Sequence, residues 1–275
     1  MGKKAAVLLT GLAVVALAGC GWAPDRQLRD ERTVETAVKA VTIEGGAGSV
    51  KITGSSDATT HVKRHVRYRR DKPGATDRVD GDTLILRTNC GQACWVDYEV
   101  TVPSGVRVAG RNSSGDVVLS GVSTASVSLS SGDLTIRGAS GDVNVRTSSG
   151  EITISDVQGS VAAEASSGGV QLTGVRGTVS VRATSGDISG QDLRGGHTTA
   201  RTSSGEISLA LAAAQDVDVE ATSGDVRIRT AAGEHYRIDT STSSGDVRAK
   251  VTSDPAADHH LKVKTSSGDI TVEPR

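Results

Sequence analysis

The chain of 275 residues carries 33 glycines, no phenylalanine and only 2% aromatic residues, which excludes an ordinary globular core of large side chains. Its formal net charge of −1 removes the electrostatic case for a nucleic-acid partner. Val, Ile, Leu and Ala are nonetheless placed with regularity, which argues against a disordered chain.

Residues 1–19, MGKKAAVLLTGLAVVALAG, join a basic start to a short apolar run. This is the pattern of an export signal, too short and wrongly flanked for a membrane span. Leu17-Ala18-Gly19-Cys20 resembles the bacterial lipoprotein processing box, which implies cleavage before Cys20 and lipid attachment to its thiol. The expected location is the extracytoplasmic face of a bacterial cell membrane, with lipid chains as the anchor. Residues 20–37 are polar with charges of both signs and read as a flexible tether.

Residues 38–110 contain alternating runs such as VTIEGGAGSVKITG, DTLILRT and WVDYEVTVP, expected to form a β-strand cap. Within this region His61 to Lys72 concentrates cations. In extended form His61, Lys63, His65, Arg67 and Arg69 share one face, with Val62, Val66 and Tyr68 on the other. Two readings stand. Lys63, Arg67 and Arg69 could contact an anionic lipid or cell-wall polymer, or the charges could protect a solvated edge strand from aggregation. In NCGQACW, Cys90 and Cys94 are expected to form a small disulfide, worth about 2 kcal/mol on the loop-entropy argument. A metal reading needs two further ligands with suitable spacing.

Residues 111–273 repeat. The corner glycines are Gly115, Gly132, Gly150, Gly168, Gly186, Gly205, Gly224, Gly245 and Gly268, and their spacing grows from 17 to 23. After each glycine the apolar residues alternate, as in Ile152 and Ile154. At seven and five residues before it they alternate again, as in Val143 and Val145. Each repeat is therefore two strands and two corners. Such a unit cannot cover its own apolar face, so the units must stack. The expected fold is all-β: a single-stranded β-solenoid, a right-handed β-helix, of about nine two-strand coils behind the N-terminal cap.

The acidic residue after each glycine has two readings. Gly at positive φ, with Ser and Asp bonding to backbone, would make a structural corner. Alternatively, the column Asp116, Asp133, Asp187, Asp225, Asp246 and Asp269 would bind calcium, but Glu151, Glu206 and Gly169 interrupt it, which a fixed coordination geometry tolerates poorly. Carboxylates about 4.8 Å apart repel by roughly 1 kcal/mol in water, so hydrogen bonds, rotamers or cations must offset this.

Because both strand patterns hold, the added residues enter at the second corner, which reads GASGD early and KVTSDPAADHH late. Loops on one face of a repeat protein commonly bind partners, here with Gln191, Arg194, His197, His235, His259 and His260 as candidates. Drift at a permissive turn is the alternative. Phosphate-loop, nucleophile-elbow and HExxH patterns do not occur, no cofactor is implied, and Asn112-Ser113-Ser114 matches a glycosylation acceptor only by pattern.

WVDYEVTVPSGVRVAGRNSSGDVVLSG followed by the SSGD coils resembles the bacterial DUF4097 family of candidate adhesins. The resemblance implies an N-terminal strand region leading into a β-solenoid, and it brings no catalytic motif. The resulting expectation is a non-enzymatic, lipid-anchored, adhesin-like surface module that meets the membrane through its anchor and contacts a cell-wall polymer or another surface protein. An envelope scaffold or stress-associated protein, binding a protein partner through the second-corner loops, is the alternative. A polysaccharide-active enzyme is the remote one.

Overall fold

The computed structural model describes residues 25–275; the expected export signal and lipidation site, residues 1–19 and Cys20, lie outside the described residues. Among the described residues every regular element is a strand. The N-terminal region holds β1 (Arg26–Val34), β2 (Ala40–Glu44), β3 (Val50–Ser55), β4 (Thr60–Tyr68), β5 (Asp77–Asp80), β6 (Thr83–Arg87) and β7 (Cys94–Pro103). The first repeats supply β8 (Arg107–Asn112), β9 (Val117–Ser120), β10 (Ala125–Ser131), β11 (Leu134–Ala139), β12 (Val143–Ser149), β13 (Ile152–Val157), β14 (Val161–Ser167), β15 (Val170–Val175) and β16 (Val179–Ser185). The later ones supply β17 (Ile188–Leu193), β18 (His197–Ser204), β19 (Ile207–Leu211), β20 (Asp216–Ser223), β21 (Val226–Thr230), β22 (Tyr236–Ser244), β23 (Val247–Ala249), β24 (His259–Ser267) and β25 (Ile270–Pro274).

From β8 onward the even-numbered strands lie in a 12-stranded sheet and the odd-numbered ones in a 13-stranded sheet. Adjacent coils pair in parallel and in register, Val143 with Val161 and Val161 with Val179, Ile152 with Val170. Val143, Val145, Ile152 and Ile154 are at most 1% exposed. Burying each such side chain contributes roughly 1.5–3 kcal/mol, a main term set against the entropy of ordering a strand whose other face is wet. The β-solenoid therefore follows from the period-2 pattern and the corner glycines.

Three features depart from the simple stack. First, the coil β2–β3 lies between β6–β7 and β8–β9, so two coils continue the rod beyond the nine SSG units. Second, the C-terminal order is permuted: β24 sits between β20 and β22, and β25 between β21 and β23. The outermost coil is thus β22–β23, and its inward positions carry Thr240, Thr242 and Ala249 where the coil beneath has Val263, Thr265 and Val272. Less apolar surface is left at the open end. Third, residues 26–34, expected within a flexible tether, form β1 and pair antiparallel with β4 from Arg26–Tyr68 to Val34–Thr60. Asp30 and Glu31 meet Arg64 and Lys63 across that pairing, so opposite charges supply what hydrophobic patterning lacks. The edge-strand reading of residues 61–69 is corrected with it, since β4 lies between β1 and β7.

The second corner is also more uniform than its letters suggest. Gly141, Gly159, Gly177 and Gly195 stack so closely that a Cβ on any of the last three would collide with backbone of the preceding coil. Just before them comes a left-handed position, Gly138 (φ 70°), Asp156 (58°), Gly174 (68°) and Asp192 (54°). Asp, which tolerates that region, alternates there with Gly. The corner becomes irregular only past Gly195.

Candidate binding trench

At the SSG corner, Gly150, Gly168, Gly186 and Gly205 have φ between 123° and 151°. The following acidic residue is part of a backbone ladder. The N–H of Asp133 donates to Asp116 Oδ1 at 3.0 Å, and that of Glu151 to Asp133 Oδ1 at 2.8 Å. Glu206 N donates to Asp187 at 2.8 Å, Asp269 N to Asp225 at 2.8 Å, and Asp246 N to Asp269 at 2.9 Å. One oxygen of each accepting carboxylate thus holds the next coil, and the column repulsion is offset by these bonds. Glu is a residue too long for the same geometry: Glu151 accepts from the Gln171 side chain and Glu206 pairs with Arg227 at 3.5 Å. Asp133→Ala is expected to cost about 1 kcal/mol. Millimolar calcium should shift the melting temperature by no more than about a degree, because carboxylates committed to backbone offer little differential binding. A large saturable rise in a calcium titration by calorimetry would restore the calcium column.

The same corner shapes a trench on the 12-stranded sheet. Four residues before each corner glycine, an outward position runs Arg111, Ser128, Arg146, Glu164, Arg182, Arg201 and Glu220 across adjacent strands, then Lys264 and Ser241. Two residues before the glycine every unit has Ser or Thr, and one before it every unit has Ser. Long side chains beside a row of short ones leave an open trench of about 730 Å³, lined from Arg111 to Thr222 along seven coils. Arg146 pairs with Glu164 at 3.2 Å, and Arg201 with Glu220 at 3.2 Å and Asp218 at 3.5 Å. Arg111 and Arg182 line the trench without an ion-pair partner among the described residues. Asn112, at its N-terminal end, is 2% exposed. Its amide accepts from Thr88 Oγ1 at 2.7 Å and donates to the Gly48 carbonyl at 2.8 Å, so it is a corner fastening and no glycan acceptor.

The candidate residues singled out from sequence are dispersed. Cys90 and Cys94 form a disulfide, with Cα atoms 5.3 Å apart, that closes the corner of the outermost N-terminal coil where no SSG is present. Gln191 is exposed on the 13-stranded sheet, and Arg194 pairs with Asp192 at 2.9 Å. His197 Nε2 lies 3.0 Å from Thr199 Oγ1. His235 is exposed before β22. His260 Nε2 is 2.6 Å from Asp239, and His259 Nδ1 is 3.6 Å from Asp216. His197 stands in register with Asp216, which also contacts His259 and His260, and His235 precedes Tyr236, the partner of His259, so these four share one edge of the rod; none of the six lines the trench. Among the described residues no group of three or more His, Cys, Asp or Glu is placed to hold a metal ion.

The cationic strip is neutralised from both sides. Lys63 is 3.9 Å from Glu31, Arg67 3.2 Å from Asp97, and Arg69 2.6 Å from Asp25. Arg64, on the inward face of β4, was not marked by its surroundings in sequence. Its side chain is 9% exposed, donates to both Asp30 oxygens at 2.9 and 2.5 Å, and reaches the Gly74 carbonyl at 2.8 Å and Thr76 Oγ1 at 3.0 Å. Thr76 Oγ1 in turn lies 2.6 Å from the buried Tyr98 hydroxyl. Hydrogen bonds from Arg64 hold the Asp30 carboxyl below its ordinary value of 3.8, against the opposing effect of burial. A depressed folded value means that this stabilisation is complete above the unfolded value and is lost as pH falls through the folded one. Asp30→Asn should therefore melt lower at pH 7, and its melting temperature should fall less steeply than the wild type's below about pH 4. Equal slopes for the two proteins in thermal melts would refute the link.

A family model described as Toastrack DUF4097 matches residues 38–273. The chain belongs to the Toastrack DUF4097 family. The match takes in the cap strands, the disulfide corner and every coil of this Toastrack rod. The chain is similar to a crystal structure of a candidate adhesin from Bacteroides fragilis, with 14% identity, a TM-score of 0.45, and coverage of 90% of this chain and 97% of that one. It is also similar to a candidate cell adhesion protein from Clostridium sporogenes, with 11% identity, a TM-score of 0.26, and coverage of 91% and 100%. No curated protein matches.

Proposed function

We infer that this Toastrack protein is a non-enzymatic, adhesin-like binding module displayed outside the cytoplasmic membrane and held there by lipid on Cys20. The observation that carries the reading is the trench: a register-locked surface on which a Ser or Thr pair recurs in every coil beside a row of long charged side chains rich in arginine. A repeating surface suits an extended binding target, whereas catalysis needs groups of different kinds converging on one point. The export signal and Leu-Ala-Gly-Cys support the location.

The test compares the full chain with Cys20→Ser, by membrane fractionation and by retention on isolated cell envelopes. The wild type should partition with membranes and the variant should not, while solubilised protein of either kind binds envelopes. Failure of both to bind would sink the binding-module reading; membrane retention of a processed Cys20→Ser would sink the anchor. The second-corner loops favour a second reading, a scaffold for a protein partner, because inserts past Gly195 are confined to that edge and include the exposed residues 255–256. Co-purification of one membrane protein, lost on deleting residues 255–257, would favour it.

A further inference from the structure

We propose that the trench on the 12-stranded sheet binds a linear, hydroxylated polyanion, a sugar or polyol polymer carrying phosphodiester or carboxylate groups, laid along the rod axis. This rests on the binding-module reading and names its site and ligand class. The trench crosses strand after strand, so its Ser and Thr row repeats about every 4.8 Å over roughly 30 Å, beside a row in which four of seven positions are arginine. Nothing in it converges on a single point, which fits a repeating ligand better than a small one. Its charge fits an anion: Arg111, Arg146, Arg182 and Arg201 stand against Glu164, Glu220 and, beside Arg201, Asp218, and Arg111 and Arg182 are the two without an ion pair among the described residues. A guanidinium fork recognises phosphate or carboxylate with two parallel hydrogen bonds. The Ser and Thr row beside it can both donate to and accept from ligand hydroxyls.

On the other sheet the aligned outward row is uncharged from Val118 through Thr135, Thr153, Gln171 and Ser189 to Ser208, and the arginines further along it, Arg227 and Arg248, are paired with Glu206 and with Asp246 and Asp269. An added peptide strand is disfavoured, because the backbone groups under the trench are already committed to parallel pairing between coils. Individual exposed ion pairs are weak, so affinity must come from many contacts to one chain and should fall as salt rises.

The test uses the full chain in detergent and four immobilised polymers: poly(glycerol phosphate), polygalacturonate, neutral dextran and polyglutamate. Both anionic polyol and sugar polymers should bind, with the double variant Arg111→Gln/Arg182→Gln weakened at least tenfold. Arg137→Gln, an exposed arginine on the opposite sheet, should stay within twofold. Preference for the phosphate or the carboxylate polymer identifies which anion is read. Dextran bound as tightly as the anions, polyglutamate bound as tightly as the sugar polymers, or equal losses from Arg137→Gln and the double variant would each overturn the proposal. If the double variant is retained on cell envelopes as well as wild type, the trench assignment fails while the binding-module reading stands; if no envelope binding occurs at all, that reading fails first.

Discussion

Val263→Asp is expected to destabilise the rod by more than about 4 kcal/mol, whereas Thr240→Asp should cost within about 1 kcal/mol. The two residues are partners in register on β24 and β22, and the order of the stack decides between them. Val263 is 0% exposed because β24 lies between β20 and β22, so a carboxylate there would be buried without a partner. Thr240 faces the open end of the outermost coil and is only half-buried, so a carboxylate there keeps access to water. Chain order alone would make the opposite forecast, with Val263 in the terminal, most exposed coil. Urea denaturation of both variants decides the matter, and a severe Thr240→Asp beside a mild Val263→Asp would mean that the C-terminal coils stack in sequence order.

Gly205→Val is the second large effect, expected to exceed about 1 kcal/mol from backbone strain alone. Gly205 has φ 143°, and a Cβ there would collide with the Gly186 carbonyl oxygen of the coil before it. Relief requires the two coils to separate at the corner, which interrupts parallel pairing on both sides and removes the bond from Glu206 N to Asp187. Gly196 is the control. It has no atom within 4 Å of an added Cβ and no positive φ, so Gly196→Val should stay within about 0.5 kcal/mol. Thermal melting of both proteins that ranks Gly196→Val as the worse would place the demanding corner on the wrong edge.

Much of this arrangement is readable before folding. Alternation at Ile152 and Ile154, and at Val143 and Val145, specifies inward and outward faces because strand geometry has a period of two. The recurring glycines mark the corner because few other residues adopt its backbone. The trench was within reach too: its charged row lies four residues before each of those glycines, but attention to the apolar positions passes over what lies between them. The glycine stack at the second corner was less accessible, since GASGD, SDVQGS and TGVRGT share little except a spacing of 18 from Gly141 to Gly195.

Local pattern by itself determined the strands, the solenoid and the corner glycines, because these depend on the side-chain period and backbone freedom of neighbouring residues. Only the tertiary structure decided which coil neighbours which at the two ends. The inward residues of β22 and β24 obey the same alternation, and nothing local states which is covered on both sides. Tertiary pairing also decided the fate of the charges. Residues 26–34 become a strand because Asp30 and Glu31 meet the cations of β4, and Arg182 stays without an ion pair in the trench because Glu164, in register beside it, pairs with Arg146 on its other side. Electrostatic pairing between segments distant in sequence has no period along the chain, so it becomes definite only when the coils are stacked.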